Sequence, residues 1–238
     1  MRKLVPQIIE SLNQQDSCIA ITGSGGKTTC MIALAGEYAK QGKSVLLSTT
    51  TKLMLPKDKQ YSCDSYFHDA SIFSHKPKPG ERVFFYHEGI KAIAPPLEQL
   101  ERLLPLYDVV LLEADGSRQL GLKLHTERDP VVPSFVTATV VLASFATLGK
   151  SFKDNCFGCE LFFEDFPEKD VELETFRKLL LHKQGMLKKI TQSGLVLFNQ
   201  VNDSQIEDCK ALAKTVSIPL PLFFGSLQTN TLYYRKDV

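Results

Sequence analysis

The sequence has few features that would take the protein to a membrane, a nucleic acid or an oxidising compartment. No apolar run approaches the length of a transmembrane helix, and no long apolar segment follows the two positive charges at the N-terminus, as it would in a secretory signal. The 28 basic and 27 acidic residues leave a formal charge of +1, so charge alone does not indicate a nucleic-acid partner. We therefore expect a cytoplasmic protein that binds neither membrane nor nucleic acid.

Cysteine is sparse and its spacing does not suggest a disulfide framework. The six cysteines are scattered, and only Cys156 and Cys159 form a C-x-x-C pair. Neither a second pair nor nearby histidines complete a zinc site around it. We expect reduced thiols, with this pair structural or incidental, although the sequence leaves open whether it binds anything.

The most informative segment is a glycine-rich turn between a predicted strand and a predicted helix. Residues 22–29 read Thr-Gly-Ser-Gly-Gly-Lys-Thr-Thr. In a strand, glycine loop and helix taken in this order, backbone N–H groups can cradle phosphate oxygens. The residues predicted to bind the nucleotide here are Gly23, Ser24, Gly25, Gly26, Lys27, Thr28 and Thr29.

Two side chains of this loop have specific roles in the prediction. Lys27 would reach the β- and γ-phosphates, and Thr28 would offer its hydroxyl to Mg²⁺. Ile21 stands where the common phosphate-binding loop has its first glycine, so the loop is a shortened form. An ordinary glycine turn is the alternative, and it does not account for Lys-Thr at the start of the helix.

A second apolar strand ends in an acidic pair, Glu113 and Asp115. Two residues apart on an extended strand, they would project from the same face at the carboxyl edge of the sheet, where open α/β sheets bind ligands. We predict that one carboxylate binds the metal and the other orients the attacking water, which makes Lys27, Glu113 and Asp115 the catalytic candidates. The sequence leaves open which carboxylate has which role.

Further polar residues are predicted at the same edge. Thr50 and Lys52, in the run 49–52, would contact phosphate or metal-bound water, although a polar turn explains the run equally well. Ser117 and Arg118 follow the acidic pair and would contact the γ-phosphate or an anionic second substrate. For Lys123, ordinary surface charge is an equally good explanation.

A candidate base-reading segment follows a later strand. Asn199, Asn202 and Asp203 lie where many GTPases carry Asn-Lys-x-Asp, whose aspartate reads guanine. Here Gln200 replaces the lysine and Asn202 the aspartate, with Asp203 one residue later. The choice between ATP and GTP therefore stays open.

Short apolar runs alternate with segments of helical periodicity along the chain. This alternation predicts a three-layer α/β P-loop NTPase fold with a mainly parallel sheet, in preference to a mixed α+β protein. We expect one domain over residues 1–238, with an irregular excursion near 55–82. The last strand, near 222–224, follows Pro219 and Pro221 and is predicted at a sheet edge. Other strands are predicted near 18–22, 45–47, 83–86, 107–112, 138–143 and 195–198, and helices near 5–15, 27–41, 97–104, 171–182 and 204–215.

Taken together, these motifs resemble the YqeC family of bacteria, described as selenium-dependent hydroxylase accessory proteins. The resemblance is carried by the glycine loop, by the run 49–52 and by Glu-Ala-Asp-Gly-Ser-Arg at 113–118 with Lys123 after it. Residues 129–133 and 181–188 are also similar to the family, so the resemblance extends from about residue 18 to about 205. It implies a cytosolic, nucleotide-binding factor that helps to mature molybdenum hydroxylases carrying labile selenium. Its partners would be such a hydroxylase or its maturation factors.

The chain departs from the family pattern in the base-reading motif and in residues 154–160, which lack the expected His-Arg character. A change of partner or of base preference would accompany these departures. Two other classes remain open. One is an ATP-dependent ligase-like or kinase-like enzyme, since Mur-type ligases share this shortened loop but carry further domains for which the chain has no room. The other is a nucleotide-binding module without turnover, because no arginine finger or catalytic glutamine is identifiable.

Overall fold

The computed structural model describes residues 2–13, 15–57, 61–162, 164–166 and 169–238. Within these ranges the helices are α1 (Leu4–Ser11), α2 (Lys27–Lys40), α3 (Leu97–Leu103), α4 (Phe152–Asn155), α5 (Leu173–Leu181) and α6 (Ile206–Thr215). The strands are β1 (Arg2–Lys3), β2 (Cys18–Gly23), β3 (Val45–Thr49), β4 (Ser65–Phe67), β5 (Arg82–Phe85), β6 (Val109–Glu113), β7 (Leu122–Lys123), β8 (Ala138–Ser144), β9 (Cys156–Phe157), β10 (Ser193–Asn199), β11 (Leu222–Ser226) and β12 (Thr231–Lys236).

Ten of these strands form one sheet in the order β1-β12-β11-β10-β8-β2-β6-β3-β5-β4, and β7 pairs with β9 separately. All neighbours from β11 to β4 are parallel, whereas β12 runs antiparallel to both β11 and β1. The prediction of a mainly parallel sheet is confirmed. The central strands are apolar almost without interruption because both faces of the sheet are covered.

Helices pack on both faces of the sheet. On one face, α1 and α2 pack against alternate residues of the central strands, such as Ile19 and Ile21 of β2. On the other face, α3 packs beside β2 and β6, while α5 and α6 cover β8, β10 and β11. The result is a three-layer arrangement in which the carboxyl ends of the parallel strands meet at one edge.

The strand predicted near 222–224 does not lie at an edge of the sheet. Strand β11 is an inner strand, because β12 returns antiparallel beside it. Pro221 immediately precedes β11, so its missing N–H removes no hydrogen bond from the strand, and its carbonyl accepts from the Val196 N–H at 3.0 Å. The two prolines therefore mark the start of this strand and not an edge.

The stretch predicted to be irregular, 55–82, is more ordered than expected. It contains β4, which pairs in parallel with β5, and a 3-10 turn over Ala70–Ser74. Residues 58–60 of this stretch lie outside the described residues. The first helix ends at Ser11 and not at 15 as predicted. Among the described residues, no helix has the length and apolar character needed to cross a membrane.

Candidate functional site

The loop between β2 and α2 packs so closely on its neighbours that two of its positions require glycine. Gly23 and Gly25 have φ values of 86° and 80°, which side chains rarely adopt. A Cβ at Gly23 would lie 2.1 Å from the carbonyl oxygen of Leu142, and one at Gly25 would lie 2.6 Å from the amide nitrogen of Ser144. Both neighbours belong to β8, so the loop is wedged against the adjacent strand.

Lys27 opens α2 and turns its ammonium back over the loop. Its Nζ donates to the Gly23 carbonyl at 2.7 Å and to the Ser117 hydroxyl at 3.2 Å. It also forms an ion pair with Asp115 Oδ1 at 3.1 Å, with 4% of the lysine side chain exposed. The structure therefore brings together three residues that the sequence placed in the site, Lys27, Asp115 and Ser117.

Asp115 lies at the centre of a buried polar network. Its Oδ2 accepts the Gly23 N–H at 2.8 Å and lies 2.9 Å from His125 Nε2 and 3.6 Å from Lys123 Nζ. Burial alone would raise the pKa of this carboxyl, but Lys27, His125 and Lys123 outweigh it and lower the pKa to about 2. Asp115 is therefore ionised at neutral pH. It holds the glycine loop by accepting the backbone N–H of Gly23.

Glu113, at the end of β6, faces the first turn of α2. The Thr28 hydroxyl donates to its Oε2 at 2.8 Å. Its backbone carbonyl accepts from the Thr49 hydroxyl at 2.9 Å and from the Thr50 N–H at 3.1 Å, which ties β6 to the end of β3. Two hard oxygen donors, a hydroxyl and a carboxylate, thus lie next to the glycine loop, and this is the ligand type that Mg²⁺ prefers.

The other residues predicted at this edge lie in different surroundings. The Thr50 hydroxyl donates to the Val131 carbonyl at 2.7 Å and so braces a neighbouring loop. Lys52 and Arg118 are on the surface, and Arg118 lies over the Phe157 ring at 5.3 Å. The alternative that Lys123 is ordinary surface charge is wrong, since its side chain is 1% exposed and pairs with Asp115 and Asp129.

A cavity of about 700 Å³ opens at this edge beside the glycine loop. Its described lining includes residues that follow β2, β3, β5, β6, β8 and β10. The acidic side chain in that lining is Glu113, whereas the basic ones are Lys27, Lys52, Lys91, Arg118 and Lys150. This excess of positive charge in a recess favours a polyanionic ligand.

The residues predicted to read the base do not lie together in the structure. Asn199 braces the loop, since its Nδ2 donates to the Gly25 carbonyl at 2.8 Å and its Oδ1 accepts the Leu227 N–H at 2.9 Å. Asn202 is exposed and caps a 3-10 turn by accepting from the Ser204 N–H at 3.0 Å. Neither Asn202 nor the exposed Asp203 is among the described residues that line the cavity, whereas Gln200 is.

His125 is a site residue that the sequence reasoning missed. It is fully buried, with Nε2 at 2.9 Å from Asp115 Oδ2 and Nδ1 at 2.9 Å from the Gly185 carbonyl. No motif marks it, because its two partners lie 10 and 60 positions away in the sequence. Lys91 and Lys150 were also missed, and only the loops that bring them to the cavity distinguish them from other surface lysines.

The C-x-x-C pair lies beside the cavity wall in a buried setting. Cys156 and Cys159 are both free, and their Sγ atoms contact the backbone carbonyls of Phe157 and Lys153. Burial raises the pKa of both thiols, which disfavours the thiolate that a metal ligand or nucleophile must supply. Among the described residues, no group of three or more His, Cys, Asp or Glu side chains is arranged to hold a metal.

Comparison with known proteins identifies a family. The model of the family described as YqeC protein matches residues 19–160, more than half of the chain. A relative from Escherichia coli (strain K12), named "Uncharacterized protein YqeC", is 26% identical over 243 residues, which cover 94% of this chain and 93% of the relative. No solved structure matches the chain. The matched range includes the glycine loop, both acidic residues and the C-x-x-C pair, and it shows that the chain belongs to the YqeC family.

Proposed function

We propose that this protein binds a nucleoside triphosphate, ATP or GTP, together with Mg²⁺, and hydrolyses it. The observation that carries the proposal is the pairing of two adjacent elements. Lys27 and Thr28, at the start of α2, contact Asp115 and Glu113, at the end of the neighbouring β6. A P-loop NTPase uses a glycine loop, the lysine and hydroxyl that follow it, and a carboxylate that faces them. The order of strand, loop and helix in this chain also supports that fold.

The triphosphate would lie on the glycine loop at the N-terminus of α2. This helix has 14 residues, and its first N–H groups and dipole favour an anion there. Lys27 already lies over the loop, and phosphate oxygens would take the place of the Ser117 hydroxyl among its partners. Two further basic residues of the described lining, Arg118 and Lys150, would attract the rest of the anion.

The two carboxylates differ in their surroundings. Both oxygens of Asp115 face Lys27, His125, Lys123 or the loop backbone, and Asp115 is not part of the described cavity lining. We therefore propose that Thr28 and Glu113, whose oxygens fit a hard cation, bind Mg²⁺. Asp115 would instead hold Lys27 in position. When bound, the ion would neutralise charge on the β- and γ-phosphates.

The biological role proposed here rests on the family. The resemblance to the YqeC family implies an accessory role toward selenium-dependent hydroxylases, so we propose that nucleotide turnover serves the maturation of a molybdenum hydroxylase. The protein partner would be that hydroxylase or one of its maturation factors. No arginine finger or catalytic glutamine could be identified in the sequence. The partner protein would therefore supply such a group.

Phosphate release from ATP and GTP tests the proposal, with purified protein alone and with a candidate partner. Glu113→Gln should abolish turnover by the folded protein and raise the Mg²⁺ concentration needed for binding. Glu37→Gln changes a carboxylate of α2 that pairs with Lys40 outside the described cavity lining; it is the matched control and should keep both properties. Turnover by Glu113→Gln at the wild-type rate and Mg²⁺ requirement would refute the assignment of Glu113.

A further inference from the structure

The cavity has a second cationic region on the side away from Gln200. Lys52, Met54 and Lys91 all line it, and we call these three residues the lysine ledge. Within the described ranges, neither lysine forms an ion pair with a carboxylate. Two exposed ammonium groups beside a partly exposed methionine are therefore available to a ligand.

The backbone sets the geometry of this ledge. Leu53 and Ala92 form an antiparallel bridge, with hydrogen bonds of 2.9 and 3.0 Å, and both side chains are buried in the core. Lys52 and Lys91 each precede one of these bridged residues, and both line the cavity. The Tyr61 hydroxyl holds the ledge by donating to the Met54 carbonyl at 2.7 Å.

The ledge is too far along the sheet to belong to the glycine loop. Lys52 follows β3, which lies two strands from β2, and the hairpin carrying Lys91 follows β5, which lies three strands away. At about 4.8 Å per strand, these strands are about 10 and 14 Å from the one that ends in the loop. Phosphate oxygens held by the loop N–H groups would be within about 3 Å of that backbone.

The charges around the cavity also favour a second anion besides the triphosphate. Lys27 is paired with Asp115, which leaves Lys52, Lys91, Arg118 and Lys150 facing Glu113. A metal-bound triphosphate brings about two negative charges, so three net positive charges would not be balanced by it. About one net positive charge therefore remains in the described lining for a further anion.

We propose that the lysine ledge binds the oxyanion of a second, small-molecule substrate, a phosphate monoester or a carboxylate, beside the bound triphosphate. An apolar part of that substrate would rest on Met54. This inference rests on the proposed nucleotide site, and it makes the protein a two-substrate enzyme and not a simple triphosphatase.

Calorimetry on protein saturated with Mg²⁺ and a non-hydrolysable triphosphate analogue tests this, with inorganic phosphate and succinate as separate probes. We expect at least one probe to bind the saturated wild-type protein, and the one that binds identifies the class of oxyanion. The double variant Lys52→Gln/Lys91→Gln should weaken that binding by about tenfold or more, with analogue affinity unchanged. The control Lys76→Gln/Lys183→Gln removes the same charge from exposed positions outside the cavity lining and should change neither affinity.

The outcomes separate the two proposals. If the analogue binds but neither probe does, the second site is refuted and the nucleotide site stands. If Lys52→Gln/Lys91→Gln loses analogue affinity as well, the ledge belongs to the triphosphate site and the inference is overturned. Failure of the analogue to bind the wild-type protein would overturn both proposals.

Discussion

The buried carboxylate Asp115 should contribute to stability in a way that depends on pH. Its pKa is lowered from 3.8 to about 2, which corresponds to about 2 kcal/mol of folding free energy at neutral pH. Because the folded-state pKa lies below the unfolded-state one, this contribution is complete above about pH 5 and is lost as the pH falls toward 2. About 1 kcal/mol of it should be gone by pH 3.

Urea unfolding of Asp115→Asn between pH 6 and pH 3 measures this contribution. At pH 6 the variant should be less stable than wild type by about 2 kcal/mol or more, because Lys27 and Lys123 lose their buried counter-charge. The gap should narrow by about 1 kcal/mol at pH 3, since the amide of the variant has no proton to take up in this range.

The matched control is Asp203→Asn, which removes an exposed carboxylate and should follow the wild-type pH dependence. If Asp115→Asn proves too unstable at pH 3, the comparison is made between pH 6 and pH 4, where the gap should narrow by about 0.3 kcal/mol. A gap between Asp115→Asn and wild type that stays constant over the whole pH range would refute the argument.

Three further predictions concern the loop and the base. Gly23→Ala should lower the free energy of unfolding more than Gly42→Ala does. The difference between the two losses should be about 2 kcal/mol or more. Both glycines have φ near 80°, but a Cβ at Gly42 meets nothing within 4 Å; equal losses would show that the contact with Leu142 is unimportant. ATP and GTP should bind within about tenfold of each other in competition, because neither Asn202 nor Asp203 is among the described residues that line the cavity. A preference of several hundredfold for either nucleotide would contradict this. Asn202→Ala should leave that ratio unchanged, and a shift of tenfold would show that Asn202 reads the base after all.

Much of the fold could be predicted because its strands are locally distinctive. The runs before Gly23 and before Glu113 are apolar almost throughout, and such runs identify buried parallel strands. The glycine loop was recognisable because its chemistry lies in consecutive residues. Strand β12 was missed, since Thr231–Lys236 is half polar and becomes a strand only when β11 is there to pair with it.

The interior of the site depends on contacts that no local pattern encodes. His125 reaches Asp115 and Gly185 only after the chain has folded, so nothing near it in the sequence marks it. Lys123 gave no signal to distinguish a buried ion pair from a solvated charge. Asn202 caps a 3-10 turn on the surface, and the sequence pattern at 199–203 does not distinguish that role from base reading.

The central claim is that the loop at the start of α2 binds the phosphates of a nucleotide, and a single pair of variants tests it. Calorimetry with a non-hydrolysable triphosphate analogue and Mg²⁺ should compare Lys27→Gln with Lys40→Gln, which changes an exposed lysine of the same helix. Because Lys27 is also the partner of a buried carboxylate, circular dichroism must first show that the variant is folded at the temperature used. We expect Lys27→Gln to weaken binding by about a hundredfold, or about 2.7 kcal/mol, and Lys40→Gln to bind like wild type. A folded Lys27→Gln protein that binds the analogue as tightly as wild type would contradict the account.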